Sequence, residues 1–299
     1  MSFYDPETFA SVEEMEAAKA SRILQPIWEW IKDGREPALR SPMFPPLLAV
    51  TFYLSVASIF TAFDLFAQDV SWLSRYRIQK QRHLTWPLIK SVLGNHFWNH
   101  MLIIFPLATV QLIWVPPTPL PPVAPTLFAF VVQQIVFFFL FDAYYWAWHA
   151  LHHKVKFLYR WCHSIHHQYS APFALATQVL HPWEIFSVGL GITVIPWFFL
   201  PHCMTYWSWF IVANYVSIEV HCGYKFPWAA HNWIPIYGGA PSHDMHHMRP
   251  LSNFEPWLNY LDNLCGWKLT MEEFQTMKEA KTKKFAHEKD YVSGLKHVN

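Results

Sequence analysis

The chain has 299 residues, of which 53% are apolar and only 14% charged, against about a quarter charged in ordinary soluble domains. With 25 Phe, 17 Trp and 13 Tyr it has the profile of a membrane protein. A net charge of +1, with no basic patch interleaved with stacking aromatics, argues against nucleic-acid binding.

Taken in chain order, the N-terminus "MSFYDPETFASVEEMEAAKA" is acidic and polar, unlike a cleaved signal peptide. Residues 1–42 therefore read as a polar segment with an amphipathic lead-in. A spanning helix needs roughly 20 mainly apolar residues, and four regions qualify. Three are residues 43–63, 97–115 and 124–148. The fourth, residues 185–218, has no Asp, Glu, Lys or Arg. It suits a hairpin of two helices turning near Pro196 and Pro201. "VPPTPLPPVAP", between the second and third regions, cannot stay helical and predicts a tight extramembrane connection.

The first and second regions are separated by a loop holding Arg75, Arg77, Lys80, Arg82 and Lys90, with Asp69 the nearby acid. Basic residues in short loops predict a cytoplasmic side. The same loop offers a docking surface for an acidic partner, or serves only to set topology. Threading the chain from there brings His149 to His181 and His221 to His247 to the same cytosolic face. The expected architecture is all-α and polytopic. Transmembrane helices fill residues 43–148, a histidine-box catalytic region with its membrane hairpin fills 149–267, and 268–299 form a charged cytosolic tail.

Most of the 18 histidines fall between His149 and His247. Isolated ones, namely His83, His96, His100, His202, His287 and His297, read as structural or interfacial residues. The clustered ones differ: charged, they would repel one another, and buried neutral, they would need partners. A metal meets both demands because it takes the neutral imidazole. His149 and His153 are four apart, as are His163 and His167, and His243 and His247. On a helix each pair shares a face and can reach one metal. The adjacent residues His166 and His167 diverge by about 100°, as do His246 and His247, which suits two neighbouring metals. His152 and His181 are weaker ligand candidates.

Cys162, Cys203, Cys222 and Cys265 form no CxxC pair, so neither a disulfide framework nor a cysteine-ligated zinc site is expected. No ExxH pair marks a carboxylate-bridged di-iron bundle. An all-nitrogen dinuclear site suits iron, copper or zinc, and of these iron and copper activate oxygen. Asp142, inside an apolar stretch, is expected to hold a histidine of another segment. Glu184 and Glu219 are further candidates to orient ligands. There is no GxGxxG, and no flavin, nicotinamide or haem motif.

The HxxxH and HxxHH boxes beside apolar helices resemble the fatty acid hydroxylase/sterol desaturase superfamily. Within it, "LQPIWEWI", "SPMFP", "RYRIQK", "WHALHHKVKFLYR", "HSIHHQYSAPFALATQ", "GYKFPW" and "YGGAPSHDMHH" are similar to the cholesterol 25-hydroxylase group. The resemblance implies a multi-pass endoplasmic-reticulum enzyme with two iron ions and O2 as co-substrate. It implies His149, His153, His163, His166, His167, His243, His246 and His247 as catalytic iron ligands. His221 and His231 complete a set of ten. His231 stands in because the second HxxxH of some relatives is interrupted here, where Lys225 follows His221. The implied reaction hydroxylates a sterol taken from the bilayer, the cholesterol side chain at C25. The implied electron donor is cytochrome b5 with its reductase or a related flavoprotein. The same site would also suit a C4-methylsterol oxidase, a sterol desaturase or a fatty acyl hydroxylase. A metal- or sterol-binding scaffold is the non-enzymatic alternative.

Overall fold

The computed structural model describes residues 9–66 and 70–295; Asp69, His297 and the side chain of His287 lie outside the described residues. Among the described residues there are helices and no strand, only isolated bridges at Arg77–Tyr224 and Tyr237–Leu258.

The lead-in comprises α1 (Val12–Ser21), α2 (Gln25–Lys32) and the single turn α3 (Glu36–Leu39). Trp28 of α2 is buried and its indole donates to the Pro121 carbonyl at 2.8 Å. The Gln25 amide donates to Pro122 O at 2.9 Å, and its own oxygen accepts from Ala124 N at 2.7 Å. The proline-rich connector, which cannot satisfy its carbonyls internally, is thus bonded to α2. Ile27 and Trp30 on the opposite face are exposed, as an interfacial amphipathic helix requires.

Among the described residues, three helical runs are long and apolar enough to cross a membrane. The first is α4 (Phe44–Phe66), which is followed by the turn α5 (Ser71–Ser74). The second is Trp86–Ile113, formed by α6 (Trp86–Asn99), a π-helical turn (His100–Ile104) and α7 (Phe105–Trp114). It starts at Trp86 rather than at residue 97. Lys90, Asn95, His96 and Asn99 dilute its first turns, yet His96 and Asn99 are buried and Asn99 donates to Leu180 O at 3.0 Å. The third, α8 (Leu127–Lys154), is capped by the Thr126 hydroxyl accepting from Ala129 N at 3.0 Å. It runs past residue 148, so His149 and His153 ride its last turns.

After α9 (Lys156–Trp161) come two 3-10 segments, His163–Gln168 and Ala174–Gln178. The fourth apolar region then forms α10 (Pro182–Trp197) and α11 (Cys203–His221), antiparallel around a turn where Leu200 takes φ 44°. α12 (Gly239–Met248), α13 (Tyr260–Cys265) and α14 (Met271–Leu295) are the last of the described helices. α11 is the central helix. One face packs Trp209, Ala213 and Val216 against Phe137 and Phe141 of α8 and against Trp257. The other brings Ile218 to Tyr53 and Ala57 of α4. The small residues Ala57 and Ala213 permit close helix approach, which drives packing inside a bilayer.

The basic loop is only partly a surface. Arg77 and Arg82 are turned inward onto buried Asp64, at 2.8 and 2.6 Å, and the Tyr224 hydroxyl donates to the same carboxylate at 2.7 Å. Removing one partner of such a buried set costs about 3–5 kcal/mol. Ile78 N donates to Gly223 O at 3.0 Å. The loop is therefore stitched to the chain just after α11, directly beside the histidines.

Candidate metal centre

Two groups of imidazoles meet where α8, α11, α12 and the 3-10 segment His163–Gln168 converge. His149, His153, His163, His167 and His246 form one; His166, His221, His243 and His247 form the other, with the ligating atoms of each group within 4.8 Å of one another. The expected grouping by spacing appears in three dimensions. Each pair four residues apart falls in one group, and each adjacent pair is split between the two. One local difference stands out. The His163–Gln168 segment is 3-10, where positions four apart sit roughly 120° apart rather than stacked, and His163 and His167 reach their group from neighbouring edges.

Hydrogen bonding fixes the tautomers. A carbonyl only accepts, so each imidazole nitrogen facing one must carry the proton. His149 Nδ1 donates to Phe254 O at 2.7 Å and His246 Nδ1 to Ser252 O at 2.7 Å. His221 Nδ1 donates to Ser217 O at 2.8 Å and His247 Nδ1 to Tyr169 O at 3.0 Å. His163 Nδ1 donates to the Glu184 carboxylate at 2.8 Å. The Nε2 atoms of these residues are then bare lone pairs, and they point inward. His153 Nε2 lies 3.2 Å from His149 Nε2 and 2.9 Å from His163 Nε2. His221 Nε2 lies 3.2 Å from His166 Nε2 and 2.9 Å from His243 Nε2. No proton arrangement lets one nitrogen satisfy two bare neighbours well. A cation in each group does, and the outward N–H···O bonds are those of metal-bound histidine.

Burial agrees. The imidazoles of His163, His167, His243 and His247 are held well below the usual histidine range, first by burial and then by neighbouring imidazoles. Burial pushes His246 down to about 3 and His166 to about 4. All are neutral near pH 7, the form a metal binds. The donor set therefore fits two metal ions.

Other expectations land elsewhere. His231, on a short 3-10 turn, packs its ring against Gly239 and stands outside both groups. His152 is outside too, because Nδ1 donates to Trp148 O at 2.7 Å and Nε2 accepts from the Trp183 indole at 3.1 Å. His181 caps α10, its Nδ1 accepting from Trp183 N at 3.1 Å. Of the three acids, Glu184 does meet a histidine. Glu219 accepts instead from the Tyr237 hydroxyl at 2.7 Å. Asp142 holds no histidine: its Oδ1 accepts from Trp257 N at 3.0 Å and Leu258 N at 3.2 Å.

That bond exposes what sequence reading missed. Residues 252–262 form a strap across the site, supplying the Ser252 and Phe254 carbonyls. Asn253 sits in the left-handed region at φ 53°, accepts from Leu269 N at 2.7 Å and donates to the Ser242 hydroxyl at 2.9 Å. Glu255 accepts from Leu261 N at 2.7 Å, and Asp262 accepts from Glu255 N at 2.7 Å. The available signal was the run of polar side chains in "SNFEPWLNYLDN", just after the last histidine box.

A cavity of about 550 Å³ opens from this centre. His221, Ser217 and Trp257 line its near end; Cys203, Tyr206 and Thr118 line its far end. It runs between α4, α7, α10 and α11, along the apolar interior.

The fatty acid hydroxylase family profile matches residues 134–267, a span that contains every residue of both histidine groups. A cholesterol 25-hydroxylase-like protein of Caenorhabditis briggsae is 52% identical over 275 residues, 92% of each chain. Cholesterol 25-hydroxylase-like protein 2 of Danio rerio is 45% identical, over 82% of this chain and 88% of its own. Cholesterol 25-hydroxylase of Homo sapiens is 34% identical, over 81% of this chain and 89% of its own. No solved structure matches.

Proposed function

The chain belongs to the fatty acid hydroxylase family, as a membrane-embedded hydroxylating oxidoreductase of lipids, and from that premise we propose that it is an oxygen-dependent di-iron sterol hydroxylase acting on the cholesterol side chain at C25. The observation that carries this reading is the pair of inward-facing Nε2 groups at the end of a long apolar cavity. The choice of a sterol leans on the names of the relatives.

In this reading His149, His153, His163, His167 and His246 hold one iron, and His166, His221, His243 and His247 hold the other. Two bound irons supply the activation of dioxygen, one atom of which enters a lipid C–H bond while the other leaves as water with two electrons and two protons. The protein's own part is positional. The Phe254, Ser252, Ser217 and Tyr169 carbonyls and Glu184 orient the imidazoles. The burial of both groups keeps bulk water away. The cavity admits substrate from the bilayer and points one end of it at His221. Without a motif for a bound electron carrier, electrons arrive from a separate donor, proposed as cytochrome b5 with its reductase. The proposed location is the endoplasmic-reticulum membrane with the histidines facing the cytosol, which the basic loop favours.

Supplying the purified chain with iron, an electron-donor system and cholesterol, and analysing products by mass spectrometry, tests this. A hydroxyl on the sterol side chain together with two irons per chain supports it. A new ring double bond, an oxidised C4 methyl or a hydroxylated acyl chain replaces it with the corresponding relative reaction. Bound metal with no lipid-dependent oxygen uptake leaves a scaffold.

A further inference from the structure

The cavity touches the centre at His221, in the group of four. The group of five has a different neighbour. The buried ring of Phe254 lies 5.5 Å from His153, 6.0 Å from His246 and 6.3 Å from His149. One ring thus meets three of the five imidazoles. Trp267 stands edge-on to it at 5.3 Å and is stacked on Trp146 at 5.6 Å. Trp267 is only half-buried, so two ring contacts join the protein surface to the group of five. Lys154 holds its ammonium over the Trp267 ring, 3.0 Å from the centroid, drawn there by the electron-rich ring face.

The surface around that lysine is basic. Lys156 and Arg160 follow it on α9 and are exposed. α9 lies against the same group, with Tyr159 5.4 Å from His153. Arg249, at the end of α12, is exposed too and sits over the Phe274 ring at 4.8 Å. The acids of the strap do not offset these charges: Glu255 and Asp262 are buried and accept from main-chain N–H groups. Exposed carboxylates stand on the first turn of α14, at Glu272 and Glu273, and Glu273 is taken by Thr270 N and Oγ1 at 2.8 Å. In the basic loop between α4 and α6, by contrast, Arg77 and Arg82 are turned onto Asp64.

We propose that the face centred on Lys154 and Trp267 docks an acidic one-electron carrier protein, and that Trp267 and Phe254 bridge the carrier to the group of five. The proposal rests on the oxygenase reading above and names where its electron donor docks. Electron transfer weakens steeply with distance through protein, so a donor gains by docking where contacting rings fill the gap. In each encounter the carrier is oxidised by one electron and the centre reduced by one. Two encounters supply the two electrons that one oxygenation consumes, and the rings end unchanged. Such encounters bury little area, and charge at their rim sets their rate and salt dependence.

Two measurements test it: binding of the soluble haem domain of cytochrome b5 to the full-length protein in detergent, and anaerobic oxidation of that reduced domain by the iron-loaded protein. Lys154→Glu and Arg160→Glu should each weaken binding about tenfold at low salt and less at high salt. Lys80→Glu, exposed in the basic loop, should leave binding unchanged. Trp267→Leu should slow oxidation of the bound carrier severalfold without weakening its binding, and Trp267→Phe, which keeps a ring, should recover most of the rate. Binding that is absent or indifferent to salt overturns the proposal. So does binding lost with Lys80→Glu and kept with Lys154→Glu, which moves the donor to the basic loop. Equal oxidation rates for wild type and Trp267→Leu overturn the bridge. Carrier binding that follows Lys154, with no oxidised sterol formed, upholds this surface and defeats the catalytic reading instead.

Discussion

The two histidine groups share one ligand chemistry but are supported differently. In the group of five, His149, His163 and His246 are braced from outside by Phe254 O, Glu184 and Ser252 O, so a carboxylate and the strap both press on it. In the group of four, the braces on His221 and His247 are carbonyls of α11 and of the loop after the 3-10 turn. Two members of each group have no partner on Nδ1, His153 and His167 in the first and His166 and His243 in the second, but only the second reaches the cavity, through His221. The first group thus has a carboxylate and two strap carbonyls behind it, and the second borders the cavity. Identical side chains acquire unequal duties from what stands behind them.

The largest effects should come from breaking each group in turn. His153→Ala and His221→Ala should each abolish turnover, and each should remove about half the bound metal. Metal-to-protein ratios by elemental analysis check this, and loss of all metal from either variant would show that the groups are not independent. Next is the strap. Asp142→Leu strands the Trp257 and Leu258 N–H groups, at roughly 1–3 kcal/mol each, and should lower the unfolding temperature and release metal from the group of five first. Asp142→Asn keeps an acceptor oxygen and should retain most of both. Glu184→Ala should weaken metal in the group of five about 10–100-fold and spare the other, as a chelator titration would reveal; Glu184→Gln should recover most of the loss. The smallest effect belongs to His231→Ala, which should leave metal content and turnover near wild type. A metal deficit there would bring His231 back as a ligand and undo the grouping.

These differences separate what the sequence could say from what it could not. Apolar runs mark the spans because bilayer thickness sets their length, and the i, i+4 and adjacent histidines encode the grouping because helix geometry is fixed. The Trp86 start is hidden because Lys90, Asn95 and His96 lower the local hydropathy even where they face protein. The braces are hidden more deeply. Four of the five are main-chain carbonyls, which every residue carries, so no side-chain pattern marks Ser252 or Phe254 as partners of His246 and His149. Asp142 was legible as a buried acid, but its partners, two amide groups of a remote loop, were not.

The splitting of His166 from His167 and of His246 from His247 makes the chain itself a ruler. Neighbouring α-carbons are about 3.8 Å apart across a trans peptide bond, so two covalent links limit how far apart the two groups of imidazoles can drift. A single residue inserted within either doublet would be felt by both groups at once.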